Sequence, residues 1–200
     1  MTTEVLCEQY SDEWWEARKG KLTASSAEKL ITPTGRPSTQ WKGLIPVILA
    51  EELGLQEKKE VPETFWMARG SEMEKEAANW LALETDAELD ECGVFINGYF
   101  GASPDRVIRQ EFGSVPVEIK CPSPAVHIGY LLEGGLPKAY LAQVHFQIAL
   151  MGAPYGIFMS YHPELEPLIV KVEANSVTED MIKQMEVYEE AFIIARKKIL

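Results

Sequence analysis

Basic residues are scarce in this chain, with 19 Lys and Arg against 31 Asp and Glu and a formal net charge of −12 over 200 residues. Non-specific affinity for nucleic acid comes mainly from Lys and Arg neutralising phosphates, so this balance argues against a generic nucleic-acid coat and confines any such contact to a local patch. The basic residues that do cluster are Arg18, Lys19 and Lys21, while the acidic excess lies largely in 51–91 and 164–190. An acidic exterior around a basic groove is compatible with these numbers, and metal ions at clustered carboxylates would reverse the local field. From charge alone, an ordinary acidic soluble protein is the simpler account. Cysteine is rarer still: Cys7, Cys92 and Cys121 are too few and too far apart for a CxxC metal site or a disulfide framework, which predicts buried or neutral thiols in a reducing compartment. No stretch approaches eighteen consecutive apolar residues, and the N-terminus has no basic region leading into an apolar run. The expectation is a soluble, cytoplasmic protein with no membrane partner. Internal repeats and low-complexity segments are also lacking, and 46% hydrophobic with 25% charged residues suits one globular domain over residues 1–200.

What is present reads as a mixed α/β chain. Ser11, Asp12 and Glu13 begin a short helix that Gly20 ends, and a second helix is expected from about Thr23 with Ser25 and Glu28 as its capping box. Pro33, Gly35 and Pro37 mark a loop, followed by helical patterning over 39–53 with an irregularity at Pro46, and again over 65–84. The period then changes. Strands are expected over 92–96 and 99–103 around the turn signal Asn97-Gly98, then over 106–109 and 115–121. A Pro- and Gly-rich loop over 122–137 precedes a helix over 138–151, two strands over 156–161 and 168–173, and a terminal helix with Ser176 and Glu179 as capping box. The fold class is thus α/β (or α+β), a central mixed sheet flanked by helices.

The chemistry concentrates in Ser103-Pro104-Asp105 and, thirteen residues after Asp105, in Glu118-Ile119-Lys120. In a strand, Val115, Val117 and Ile119 point one way while Glu118 and Lys120 point the other. Two carboxylates and an amine suit a metal-dependent phosphodiesterase: Asp105 and Glu118 would hold Mg²⁺, Ile119 would add its backbone carbonyl, and Lys120 would orient or deprotonate the attacking water. Alternating Glu and Lys also mark the wet face of an ordinary amphipathic strand, and both accounts stand on the pattern alone. Glu74 stacks with Ala77, Ala78 and Leu81, so it borders an apolar stripe, either seeking a partner such as a metal or reaching to solvent. Gln143 and Gln147 share one helical face, turned either to a scissile phosphate or to water. His145 has no second ligand at metal-binding spacing and reads as structural, and His127 and His162 support no claim. Arg18 with Ser25 at a helix start would make a phosphate pocket; a packed tryptophan helix with an exposed basic turn is the competing account.

In order along the chain stand Trp14-x-x-x-Arg18-x-Gly20-x-x-Thr23-Ala24-Ser25, Gly70-x-x-x-Glu74, Ser103-Pro104-Asp105, Glu118-Ile119-Lys120-Cys121-Pro122 and Ala139-Tyr140-Leu141-Ala142-Gln143-Val144. This series resembles the lambda exonuclease family, also called the YqaJ-like viral recombinases, within the PD-(D/E)xK nuclease superfamily. The resemblance implies a restriction-endonuclease-like core with Asp105 and Glu118 as metal ligands, Lys120 as the catalytic lysine, Glu74 and Gln143 completing the site, and Arg18, Ser25 and Ser103 binding a terminal 5′-phosphate. It implies two Mg²⁺ ions, with Mn²⁺ substituting. The implied activity is 5′→3′ degradation of one strand of linear duplex DNA to mononucleotides, with a 3′ overhang left for a single-strand annealing partner. A homotrimeric ring around the DNA and a phage or prophage setting are implied as well. Alternatives are a related endonuclease or repair nuclease, or a non-catalytic DNA-binding or assembly protein on the same fold. Arg106 departs from the pattern, since a Gly often follows the Pro-Asp pair, and the loop over 32–41 carries no clear family signature.

Overall fold

Six strands and six helices were expected where the sequence supplies a clear period or cap, and short pairings complete them. The computed structural model describes residues 1–55 and 65–200. Its elements run β1 (Thr3–Val5), α1 (Asp12–Arg18), β2 (Leu22–Thr23), α2 (Leu44–Glu52), α3 (Phe65–Thr85), β3 (Val94–Asn97), β4 (Phe100–Ala102), β5 (Arg106–Gln110), β6 (Gly113–Lys120), α4 (Pro124–Glu133), α5 (Lys138–Met151), β7 (Tyr155–Ser160), β8 (Leu168–Glu173) and α6 (Ser176–Ile199), with 3-10 helices at Ala24–Lys29 and Gln40–Gly43. The mixed α/β class holds, but the strands divide between two four-stranded sheets, β1-β3-β4-β2 and β5-β6-β7-β8, rather than forming one. Each sheet is mixed: β2 pairs parallel with β4, and β6 pairs parallel with β7. The chain changes sheets between β4 and β5, and the three residues of that joint are Ser103, Pro104 and Asp105. Pro104 carries no N–H to offer a ladder, which suits a position where pairing breaks.

Local chemistry explains most elements. Ser11 caps α1 by accepting from the Trp14 N–H at 3.2 Å. The β3–β4 hairpin closes with Asn97 opposite Phe100, so the two-residue loop is Gly98-Tyr99, and Gly98 takes the positive φ of +58° that its first position requires. Four expectations need correction. The helix at Thr23 is a 3-10 helix without a side-chain cap, and the hydroxyl of Ser25 instead shares a hydrogen bond with Thr23 at 3.0 Å. The irregularity near Pro46 falls earlier, at the end of the 3-10 helix, because Pro46 sits in the first turn of α2, where its absent N–H has no helical carbonyl to meet. Residues 124–133 form α4 rather than loop: Pro124 opens it and Gly134, at φ +69°, closes it, so the residues that read as breakers are its punctuation. Asn175, not Ser176, caps α6, with Thr178 completing the capping box.

Two layers of core fix the frame. Ala77, Ala78 and Leu81 of α3 pack on Val115, Val117 and Ile119 of β6, while Ala142, Phe146 and Leu150 of α5 pack towards the other sheet and α6. Val144 and Ile148 of α5 meet Phe158 of β7. Helix α5 is therefore buried on nearly every side, and its polar residues lie inside the molecule. The three cysteines are free, and burial, first among the causes, pushes Cys92 and Cys121 up to about 12, the neutral thiols expected. His145 binds Thr178 at 2.8 Å inside the core, a structural role. His127 is on α4 rather than in a loop, fully buried between Ser160 at 2.7 Å and the Glu166 carbonyl at 3.0 Å. No helix among the described residues is long and apolar enough to cross a membrane.

Candidate active site

The last residues of β6 carry the polar cluster. Strand alternation sends Glu118 and Lys120 to the face covered by α5, where Glu118 is 1% exposed. An ionised carboxylate so deep must be fully engaged. Glu118 is: Gln147 Nε2 donates to its Oε2 at 2.6 Å, and Gln143 Nε2 and Lys120 Nζ both meet its Oε1. Gln143 and Gln147 lie one helical turn apart, so a single face of α5 delivers both amides to one carboxylate. The carboxylate offers about four lone-pair sites, and these three donors leave one of them open.

Asp105 reaches the same place from the joint between the sheets. Its Oδ2 accepts the Ile119 N–H at 2.6 Å and lies 3.7 Å from Lys120 Nζ. Pairing of β5 with β6 stops at Arg106 opposite Val117, so the backbone edge of Ile119 faces Asp105 rather than another strand. Since the N–H and C=O of a strand residue point to the same side, the Ile119 carbonyl also turns towards that edge. Burial, then the Glu118 charge and that of Glu74, push the Asp105 carboxyl up to about 7 against the opposing pull of Lys120 and the Ile119 N–H. For Lys120, burial works against the ammonium but the Glu118 and Asp105 carboxylates outweigh it, so its pKa stands above the ordinary value. The Tyr140 ring, 5.8 Å from Nζ, adds a cation–π wall.

Glu74 stands beside this cluster with a different partner. Its Oε1 pairs with Arg106 Nη1 at 2.7 Å, and Arg106 also donates to the Asp105 carbonyl and lies 3.8 Å from Glu91. Arg106, at the position that departs from the resembling pattern, thus braces Glu74 and the backbone of Asp105 together. Arg18 and Ser103 are brought into contact: Arg18 Nη1 donates to Ser103 Oγ at 3.3 Å, Trp14 Nε1 donates to the same oxygen at 2.9 Å, and the guanidinium sits 4.1 Å from the Trp14 ring centroid. Of the two accounts of this segment, the contacts show the packed tryptophan, with Arg18 half-buried against its ring. Ser25 is exposed and bonds Thr23 rather than either of them. It nonetheless leaves β2 at the same end as Ser103 leaves β4, because Thr23 pairs in parallel with Gly101.

Two contributors are only faintly marked in the sequence. Gln147 shows only as the i+4 companion of Gln143, and the signal that would have placed it inside, the all-round burial of α5, is tertiary. Arg106 shows only as an anomaly. Among the described residues no three His, Cys, Asp or Glu side chains gather into a ready cage for a metal. The donor set nevertheless fits a hard divalent cation: two carboxylates that keep free lone pairs, a strand-edge carbonyl, and a crowding that raises a carboxyl pKa until positive charge relieves it. Mg²⁺ in particular is held through one or two carboxylates while keeping several waters.

The family model for the YqaJ-like viral recombinase domain matches residues 13–154. Among solved structures, the chain is similar to an alkaline exonuclease, LHK-Exo, from Laribacter hongkongensis, at 26% identity and a TM-score of 0.72 over 94% of this chain and 98% of that one. The structure of LHK-Exo in complex with dAMP matches at 25% identity and the same TM-score, 0.72, again over 94% and 98%. A phage related exonuclease from Haemophilus somnus 129PT matches in fold at 13% identity and a TM-score of 0.66, over 90% of this chain and 96% of that one. No curated protein matches the chain.

Proposed function

The chain belongs to the YqaJ-like viral recombinase family, and from that premise we propose that it is a Mg²⁺-dependent exonuclease acting on the ends of linear duplex DNA. It degrades one strand 5′→3′ to mononucleotides and leaves a 3′ overhang for recombination by strand annealing. The likeness to an alkaline exonuclease supports a nuclease. The observation that carries the reading is the buried Glu118 held by Gln143, Gln147 and Lys120 beside Asp105, a polar set with no stabilising purpose in a core.

Asp105, Glu118 and the Ile119 carbonyl would hold the metal, in one or two ions, with Mn²⁺ as a substitute. Bound there, Mg²⁺ supplies neutralisation of the phosphate charge and a more acidic water. The remaining work belongs to the chain. Gln143 and Gln147 fix both oxygens of Glu118, so its free lone pair has one direction. The Lys120 ammonium, fixed between the carboxylates, orients the attacking water and offsets the charge that grows on the phosphate. Arg18 and Ser103, with Ser25 at the neighbouring strand end, receive the terminal 5′-phosphate, which sets polarity. Glu74 completes the site from α3.

A homotrimeric ring would reconcile the −12 charge with DNA by turning the Arg18 surfaces inward. A single-strand annealing protein would then take the overhang, in the cytoplasm of a phage host. The test is digestion of linear duplex with 5′-phosphate or 5′-hydroxyl ends and of closed circles, in Mg²⁺ and then in chelator. The phosphorylated linear form should disappear fastest, circles should persist, and chelator should stop the reaction. Lys120→Ala should reduce cleavage by about 10²–10³-fold or more while binding is retained. Cutting of closed circles would favour an endonuclease, and a Lys120→Ala variant cutting at the parental rate would remove the assigned mechanism. A monomer mass in dilute solution would count against the ring.

A further inference from the structure

Tyr10 combines two properties that oppose each other. It is 65% exposed, yet its backbone takes φ +68°, a left-handed conformation that a bulky residue adopts only at a conformational cost. Asn or Gly would occupy that backbone more easily. The conformation is enforced from both sides. Before it, Gln9 Nε2 is anchored to the carbonyls of Pro104 at 2.8 Å and Cys92 at 3.2 Å. After it, Ser11 is committed to capping α1. What the enforced turn achieves is the position of the ring: Tyr10 lies 5.1 Å from Trp14, tilted by 39°, and Trp14 in turn carries Arg18 and Ser103.

Tyr10 also lines a cleft of about 600 Å³ together with Glu74, Asp105 and Arg106. The cleft includes Glu8 and Glu91 as well, so carboxylates outnumber its cations, Lys75 and Arg106. The exposed aromatic face at this cleft suits an uncharged flat ring, while the phosphate is left to the proposed metal and to Arg18. Resting on the reading of the site as a DNA-end nuclease, we propose that Tyr10 is a stacking platform for a nucleobase of the terminal nucleotides, one ring away from the Arg18–Ser103 phosphate pocket. Aromatic stacking grips any base through its π face, so the platform adds affinity without sequence preference.

The test is binding of 5′-phosphorylated duplex by fluorescence anisotropy, with Ca²⁺ in place of Mg²⁺, using ends whose terminal nucleotide carries a base or is abasic. Tyr10→Phe should bind both ends as the parent does. Tyr10→Asn and Tyr10→Leu should bind the intact end about tenfold more weakly, the range of one base–aromatic stack, and should match the parent on the abasic end. Tyr10→Asn should also melt at or above the parental temperature, because Asn tolerates the left-handed backbone. Equal losses on intact and abasic ends, or a lower melting temperature for Tyr10→Asn, would make the ring a structural prop and overturn the proposal. If the parent cuts duplex ends and the Tyr10 variants bind intact ends as it does, only the platform falls. If the parent neither binds nor cuts them, the nuclease reading falls and takes the platform with it.

Discussion

Strand β6 buries two faces of opposite character. On the α3 side, Val115, Val117 and Ile119 meet Ala77, Ala78 and Leu81, and all six are close to fully buried. On the α5 side, Glu118 is equally deep, but its neighbours are Lys120, Gln143 and Gln147. The first face is stabilised by removal of apolar surface from water, roughly 25 cal/mol per Å², without regard to direction. The second must be satisfied donor by donor, since a buried carboxylate that loses its partners costs several kcal/mol. An apolar replacement of that whole set would cost little stability and could add some. The same strand therefore holds the fold with one face and maintains, with the other, a polar arrangement that adds little to stability.

The comparison breaks most visibly on its apolar side. Leu81→Ala should lower stability by about 2–5 kcal/mol in urea unfolding, with activity per folded molecule within about twofold of the parent. An activity loss in step with the stability loss would mean that the two faces are coupled. Gln147→Leu should weigh more on activity than on stability. It strips Glu118 Oε2 of its 2.6 Å donor, at a cost of about 1–3 kcal/mol that is eased because the unpartnered Gln147 Oε1 leaves as well, while the loosened Glu118 should cost roughly 10–100-fold in cleavage. A stable variant with parental activity would remove Gln147 from the site. Arg106→Met is the subtlest, leaving Glu74 without its 2.7 Å partner at an expected cost of about 1–2 kcal/mol. Adding Glu74→Gln should recover most of that stability in a double-mutant cycle, and simple additivity would show that the pair does not interact.

Much of this was legible in the sequence. The alternation of 115–120 is a period of two, and it located both faces of β6 without any long-range information. Helices α3, α5 and α6 and the Asn97-Gly98 hairpin carried equally local signals. Asp105, Glu118 and Lys120 were recognisable by residue type and order, and Glu74 as a carboxylate on an apolar border. Other features had no such signal. Strands β1 and β2, at three and two residues, are too short to show a period and exist through their pairing with β3 and β4. Helix α4 was hidden because Pro124 and Gly134 serve as its boundaries and resemble loop composition. Ser25 resembled a cap, yet the 3-10 geometry of its turn offers no such bond.

The division between what neighbours in sequence dictate and what the folded chain adds is sharpest at Glu118. That it shares a face with Lys120, opposite Ile119, follows from the dihedral geometry of a strand and needs nothing further. That its two oxygens meet amides 25 and 29 residues away, that Asp105 grips the Ile119 N–H across 14 residues, and that Arg106 braces Glu74 across 32, follow from chain closure. Those contacts depend on the rotation of α5, on the stop in β5–β6 pairing and on the change of sheet at Pro104. Each is set by how whole layers pack, because the free energy of a buried polar contact is decided by which distant groups arrive to replace water.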